Sequence, residues 1–339
     1  LAAALATGAA VGWLTQRSDA GGRNSSVASV PRIGSAEVGG FVLQARTAGD
    51  RLWVLTCTHA CGMVTSGADQ EQLVELKPST GAVIRRLPLT DANAIAIAGR
   101  AVWVTHFLSG EVTRIDAPTG RATASVHLRL PKPIVRHDRH FLPLSLSSAN
   151  GSVWVSTARG WLAQINARTG RFVRMVRTPS EDNSAATNRY GTWVAEDLDG
   201  IGLLAPHKTR LRIRAIMQGG LPLDVYDVLN GGRVVWALGS PDATTASAKA
   251  VVLVMNPRTD RVIRRVQVPE ADGAVVAGGA LYLGGLDHGR IYRITRNGSL
   301  QMFNAPRRRA TLMTASSGVL WAATSTKPGR LLSFKLPPG

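Results

Sequence analysis

Three residues on well-separated stretches carry the side chains of a proton-transfer site: His106, Glu196 and His288. Either imidazole could deprotonate a carbon acid, with the Glu196 carboxylate helping to hold a divalent ion. A second group, Arg136, His137, Arg139 and His140, is packed into one short segment. Its guanidinium forks suit a carboxylate or phosphate. Asp197, Asp224 and Asp287 could surround both groups. The candidate ligand set is therefore His106, Arg136, His137, Arg139, His140, Glu196, Asp197, Asp224 and His288. The competing reading is that these are solvated loop residues with nothing in common. The two cysteines, Cys57 and Cys61, are spaced C-x3-C with His59 between them. That spacing can close a disulfide, the expected state in an oxidising compartment, with free thiols as the alternative; two Cys and one His leave a tetrahedral zinc site short of a ligand. No G-x-S-x-G, H-E-x-x-H or phosphate-loop pattern is present.

Residues so far apart must be gathered by a scaffold, and the sequence repeats itself visibly. Six tryptophans and a tyrosine fall in matching contexts: "RLWVLT" at Trp53, "AVWVTH" at Trp103, "SVWVST" at Trp154, "GTWVAE" at Trp193, "VVWALG" at Trp236, "ALYLGG" at Tyr282 and "VLWAAT" at Trp321. The period is about 45 residues, that of a propeller blade. Before each aromatic lies a run of small and apolar residues, such as "NAIAIAG" or "SLSSANG", suited to the crowded innermost strand. After it come two strand-sized runs joined by a Pro/Thr/Asn/Gly turn, as in "EVTRIDAPTGRATASVHL" and "LAQINARTGRFVRMVRT". Alternation over two residues and the absence of long 3.6-period segments exclude a helical solenoid. The expected fold is all-β: a seven-bladed propeller of four-stranded antiparallel blades. The last repeat offers only three strands, so the N-terminal segment "SSVASVPRIGS" is expected to complete that blade and close the ring.

Connection lengths then single out a face. Links from inner to aromatic strand, and from third to outer strand, are short and share one side of the ring. The long insertions, "CTHACGMVTSGADQE", "PKPIVRHDRHFLP", "SEDNSA" and "GSPDATTASAKA", all fall on the other side. Long loops on a rigid scaffold are where binding is usually built. His59, His106, His137, His140 and His288 map to that face. Inner strands read as Ala, Gly, Ser and Val with Asp224 almost alone, so neither a calcium centre nor any other cofactor is expected.

The 339 residues carry a formal charge of +18, supplied mostly by arginine and spread along the repeats. That spread reads as diffuse solvated charge rather than a nucleic-acid site; the expected partner is an unidentified small molecule or protein, and contact with an anionic one stays open. "LAAALATGAAVGWLT", residues 1–15, is uncharged and reads as part of a transmembrane or signal-anchor segment. Residues 16–26 read as a flexible linker and 27–337 as the propeller. The expected product is monomeric, extracytoplasmic, and membrane-anchored or secreted.

The stretch "VWVTHFLSGEVTRIDAPTGRATASV" resembles the YVTN-type repeats of actinobacterial extracytoplasmic proteins. The resemblance covers most of the chain and is weakest at "GIGLLAPHKTRLRIRAI". It implies seven blades, an extracytoplasmic setting, and binding or sensing within a larger membrane-anchored protein. The repeats also distantly resemble virginiamycin B lyase-like propellers, which would make His106, Glu196 and His288 catalytic. That family's "W-F-T-E" and "I-G-R-I" patterns are missing, with "WVAE" at Trp193 the nearest approach. Binding is the expected role. A lyase or lactonase-like hydrolase acting at the same face is the alternative.

Overall fold

The computed structural model describes residues 28–58, 71–128, 143–157, 160–179, 184–206, 208–218, 221–241, 250–271, 273–308, 310–316, 318–325 and 328–336. Among these residues are seven four-stranded antiparallel sheets, with one two-stranded hairpin, Met217–Gln218 with Leu221–Pro222, between the fourth and fifth. Each sheet is a blade. The inner strands are Phe41–Ala48, Ala92–Ala98, Pro143–Ala149, Ala185–Asn188, Asp224–Asn230, Ala274–Ala277 and Ala310–Ser316. Neighbouring inner strands touch all the way round, the seventh meeting the first.

Burial falls from second strand to rim. The second strand of blade 2, Ala101–His106, is covered on both faces, whereas its outer strand Ala122–His127 exposes nearly every other residue. Strands covered by a blade on each side need continuous apolar runs; rim strands do not.

The repeated aromatics have a packing role. Seven apolar clusters fill the seven blade-to-blade interfaces, and each contains one repeat aromatic. Trp53 lies between blades 1 and 2, Trp103 between 2 and 3, Trp154 between 3 and 4, and Trp193 between 4 and 5. Trp236, Tyr282 and Trp321 complete the circle.

The repeated Thr-Gly turn joins third and outer strands, and it too serves the interface. Asp116 accepts from the Thr119 hydroxyl at 2.7 Å, and Asn166 from the Thr169 N–H at 2.9 Å. Asn256 accepts from the Arg258 N–H at 2.8 Å. These side-chain caps fold each turn locally. The glycine that follows adopts positive φ, 70° at Gly120 and 71° at Gly170, and lies against the outer strand of the preceding blade. Arginines of that outer strand reach across to the turn: Arg85 donates to Pro118 O at 2.7 Å, and Arg212 pairs with Asp260 at 2.8 Å. Arg174 does the same to Lys208 O. Part of the arginine excess therefore joins blades.

A Cβ at Gly170 would sit 2.8 Å from the Ala124 Cβ, whereas one at Gly99, also at positive φ, would meet nothing within 4 Å. Gly99→Ala should cost about 1–2 kcal/mol for its backbone alone. Gly170→Ala should cost about 1–3 kcal/mol more from overpacking. Denaturant midpoints of the two variants check this.

The N-terminal strand Arg32–Glu37 pairs with Arg330–Lys335 and completes the seventh sheet. It begins later than the sequence suggested. The residues before it clasp blade 6 instead, Ser29 bridging Asn304 in parallel and Val30 donating to Asn304 O at 2.7 Å. Pro31, lacking an N–H, falls between the two pairings. Register in blade 7 is set by burial, with Ala36 and Val38 inside and Ile33 outside. Among the described residues, no helix is long and apolar enough to cross a membrane.

Candidate functional site

His106 ends the second strand of blade 2, and both of its ring nitrogens are engaged. Nδ1 lies 2.6 Å from Thr90 O, which can only accept, so Nδ1 carries the proton; Nε2 lies 3.0 Å from the Thr113 hydroxyl. The ring thus links the loop at Thr90 to the third strand at Thr113. In register with it are Glu111 and His127 on the third and outer strands. The Ser125 hydroxyl holds the Glu111 carboxyl below the usual range, outweighing burial, which raises it, with His106 and His127 adding weaker attractions. His106 and Glu111 border a cleft between blades 1 and 2 of about 630 Å³, with Thr90, Asp91 and Leu108 among its other walls.

Because its folded-state pKa is depressed, Glu111 contributes stability that is present above the ordinary carboxylate range and is lost as pH falls through the lowered value. Glu111→Gln should thus be less stable than the parent at pH 7, with the difference vanishing near pH 3. Urea unfolding at both pH values checks the sign.

Glu196 is fully buried at the end of the second strand of blade 4, and a Cβ at Gly202 would lie 3.2 Å from its Oε1. Asp197 has φ 45° and its carbonyl accepts from Val225 N at 3.0 Å, stitching blade 4 to blade 5. Asp224 opens the inner strand of blade 5, where burial raises its pKa. His288 closes the short 3₁₀ turn Leu286–His288 on blade 6, largely exposed, with Nδ1 against Glu270. The other Glu270 oxygen takes the Tyr292 hydroxyl at 3.3 Å. His106, Glu196 and His288 thus stand on alternate blades, and none lines the central channel. Asp287 is exposed beside His288. Arg136, His137, Arg139 and His140 lie outside the described residues, as do His59 and Cys61. Cys57 is disulfide-bonded. No group of three or more His, Cys, Asp and Glu is placed to hold a metal among the described residues.

The channel supplies what the sequence reading missed. All seven inner strands line a space of about 550 Å³. Cross-strand pairing puts one residue of each inner strand opposite the repeat aromatic: Arg46, Ala96, Ser147, Ala186, Leu229, Val275 and Thr314. Two residues earlier, on the same side, stand Gln44 on blade 1 and Asp227 on blade 5. A bulge precedes that residue, between Val42 and Gln44 and between Val225 and Asp227, as it does at the same place on blades 2 and 3. The inner strands are therefore not uniformly small, and Asp224 is not their main charge.

Arg46 and Asp227 face this space from different sides of the ring. Arg46 donates Nη1 to Ala45 O at 2.9 Å, and Asp227 accepts the Ser184 hydroxyl. Burial pulls the Arg46 pKa down, and the attraction of Asp227 offsets only part of that. Burial pushes Asp227 up, against the Ser184 hydrogen bond, the Val228 N–H and the weaker pull of Arg46. By area each side chain is half-buried, because the channel reaches it, but protein surrounds each charge closely enough for desolvation to dominate. No ion pair joins them. Tyr226 is 42% exposed, yet burial of its hydroxyl, then Asp227 and Asp224, push its pKa up to about 12.

No family model and no curated protein matches the chain. Solved structures do. The β-propeller domain of Cps50 (Swd1) from Myceliophteria thermophila superposes with a TM-score of 0.65 at 11% identity, over 91% of this chain and 100% of that one. Virginiamycin B lyase from Staphylococcus aureus gives 0.64 at 13%, over 90% and 99%. BamB from Moraxella catarrhalis gives 0.55 at 15%, over 90% and 99%. At these identities the likeness shows a propeller fold shared by proteins of diverse roles.

Proposed function

We propose that this chain is a binding propeller of the YVTN type, extracytoplasmic and tethered through its N-terminal segment, acting as the ligand-sensing part of a larger protein. Its ligand is a small polar molecule that enters from the long-loop face and rests in the central channel. One observation carries this reading: the only opposite charges facing the space shared by all seven blades, among the described residues, are half-buried and strongly desolvated, with no ion pair between them. The hydrogen bonds to Ala45 O and from Ser184, and their mutual attraction, do not outweigh their desolvation, so their use lies in what they hold. The Cys57 disulfide suits an oxidising compartment. The channel volume falls within the range of about 300–1,000 Å³ typical of small-molecule sites.

A polar-metabolite library screened by thermal shift tests the reading. At least one compound should raise the melting temperature of the full chain, an effect lost in Arg46→Met and kept in His106→Ala. Shifts that survive Arg46→Met but vanish in His106→Ala would move the site to the cleft between blades 1 and 2. The catalytic alternative has one observation in its favour, the exposed His288–Glu270 pair. Any turnover abolished by His288→Ala would replace the binding reading with the lyase- or lactonase-like one.

A further inference from the structure

The channel wall mixes polar and apolar surface. Blades 1 and 3 contribute Gln44, Arg46 and Ser147, Ser184 of blade 4 is tied to Asp227 of blade 5, and Leu229, Val275, Val276 and Met313 add apolar surface. The Ser147 hydroxyl is buried with no hydrogen-bond partner, at the same level as Arg46. Gln44 accepts from Ile95 N at 3.0 Å through Oε1, which leaves its amide N–H₂ as a donor. Arg46 has the Gln44 amide donor two residues away on the same side of its strand; Asp227 has Leu229 in the equivalent relation, and Val275 and Val276 of blade 6 supply an apolar wall.

A simple anion would answer Arg46 and leave Asp227 facing it across the same space. A simple cation would do the reverse. A molecule carrying both signs answers both, and an aliphatic substituent would cover the apolar wall. We infer that the channel takes a small aliphatic zwitterion of amino-acid type, its carboxylate on the Arg46 guanidinium and its ammonium on the Asp227 carboxylate. This rests on the channel being the binding site. Arg46 suits the carboxylate end because its planar fork can hold two oxygens at once. Discrimination should be steep, since an analogue lacking either charge strands one buried charged group.

Calorimetry on the full chain tests the assignment with four probes: L-leucine, L-valine, 4-methylpentanoate (carboxylate only) and 3-methylbutylamine (amine only). The two amino acids should bind, and each single-charge analogue should bind at least 10-fold more weakly. Arg46→Met should abolish binding, and Arg46→Lys, which keeps the charge without the fork, should weaken it about 10-fold. Asp227→Asn should bring the amino acids down to the affinity of 4-methylpentanoate. Near-ultraviolet circular dichroism confirms that each variant is folded. If 4-methylpentanoate binds as tightly as leucine, or Asp227→Asn leaves leucine binding unchanged, the zwitterion assignment falls and the channel survives as an anion site. If no probe binds while library compounds still depend on Arg46, the ligand class is wrong and the binding reading stands. If no compound of any kind depends on Arg46, both fall together.

Discussion

Removing residues 1–37 should leave a protein that does not fold cooperatively. The deletion strips the fourth strand from blade 7, exposing the edge of Arg330–Lys335, and removes the clasp of Val30 on Asn304. It also takes Val30 and Ala36 out of the interfaces that blade 7 shares with blades 6 and 1. An open edge is a template for pairing with other chains, so the shortened protein should aggregate on gel filtration and lose its sharp denaturation transition. The point-substitution counterpart is Ala36→Arg. Ala36 is 6% exposed, and its Cβ lies 3.1 Å from where a Cβ at Gly81 would stand. A guanidinium forced in there should cost about 3 kcal/mol or more, through overpacking and an unpaired buried charge. A monomeric, cooperatively unfolding deletion variant would show that the ring does not depend on its chain ends.

Trp236→Ala should cost about 3–5 kcal/mol, the usual range for truncating a buried aromatic. Its ring is fully buried between blades 5 and 6. The indole N–H has no hydrogen-bond partner and packs where a Cβ at Gly231 would come within 2.5 Å. Trp236→Phe therefore forfeits volume and no hydrogen bond, and should cost less than half as much. Guanidinium denaturation of the pair separates packing from polar contributions. Equal losses would mean that the indole nitrogen matters in a way its surroundings do not show.

Much of this architecture was legible because each repeat has to solve the same packing problem. Trp53, Trp103 and their counterparts recur since every interface needs one large apolar plug. Asp116, Asn166 and Asn256 recur since every outer hairpin needs a capped turn. Those residues say nothing about function, which is why the sequence repeats so openly. Function resides where repeats differ, and there the reading went to the loops and histidines. His106 drew attention as a free imidazole, but Thr90 and Thr113 occupy both nitrogens, from positions no spacing rule marks. The channel charges did leave a trace. Seven residues before each repeat aromatic the chain reads Arg46, Ala96, Ser147, Ala186, Leu229, Val275 and Thr314. One arginine in a column of small and apolar residues is an anomaly on an innermost strand. Asp227, nine before Trp236, holds the place that Gln44 holds before Trp53. Burial, the property that makes these groups costly, cannot be read from one strand, because it needs the other six.

The central claim is that Arg46 and Asp227 are kept for a ligand at some expense to the fold. Its most direct test is the unfolding free energy of Asp227→Asn and the parent as a function of pH. Burial raises the folded-state pKa of Asp227, so the native state holds its proton more tightly than the unfolded chain does. Native stability therefore falls as pH rises from the ordinary carboxylate range through that raised value. Asn keeps an acceptor for Ser184 and carries no charge. At pH 8 and without ligand, Asp227→Asn should be more stable than the parent by about 1 kcal/mol, a gain that disappears as the pH drops toward 4. A variant that is instead destabilised by about 2 kcal/mol or more at pH 8 would show that the carboxylate holds the ring together, and the channel would lose its claim to be the site.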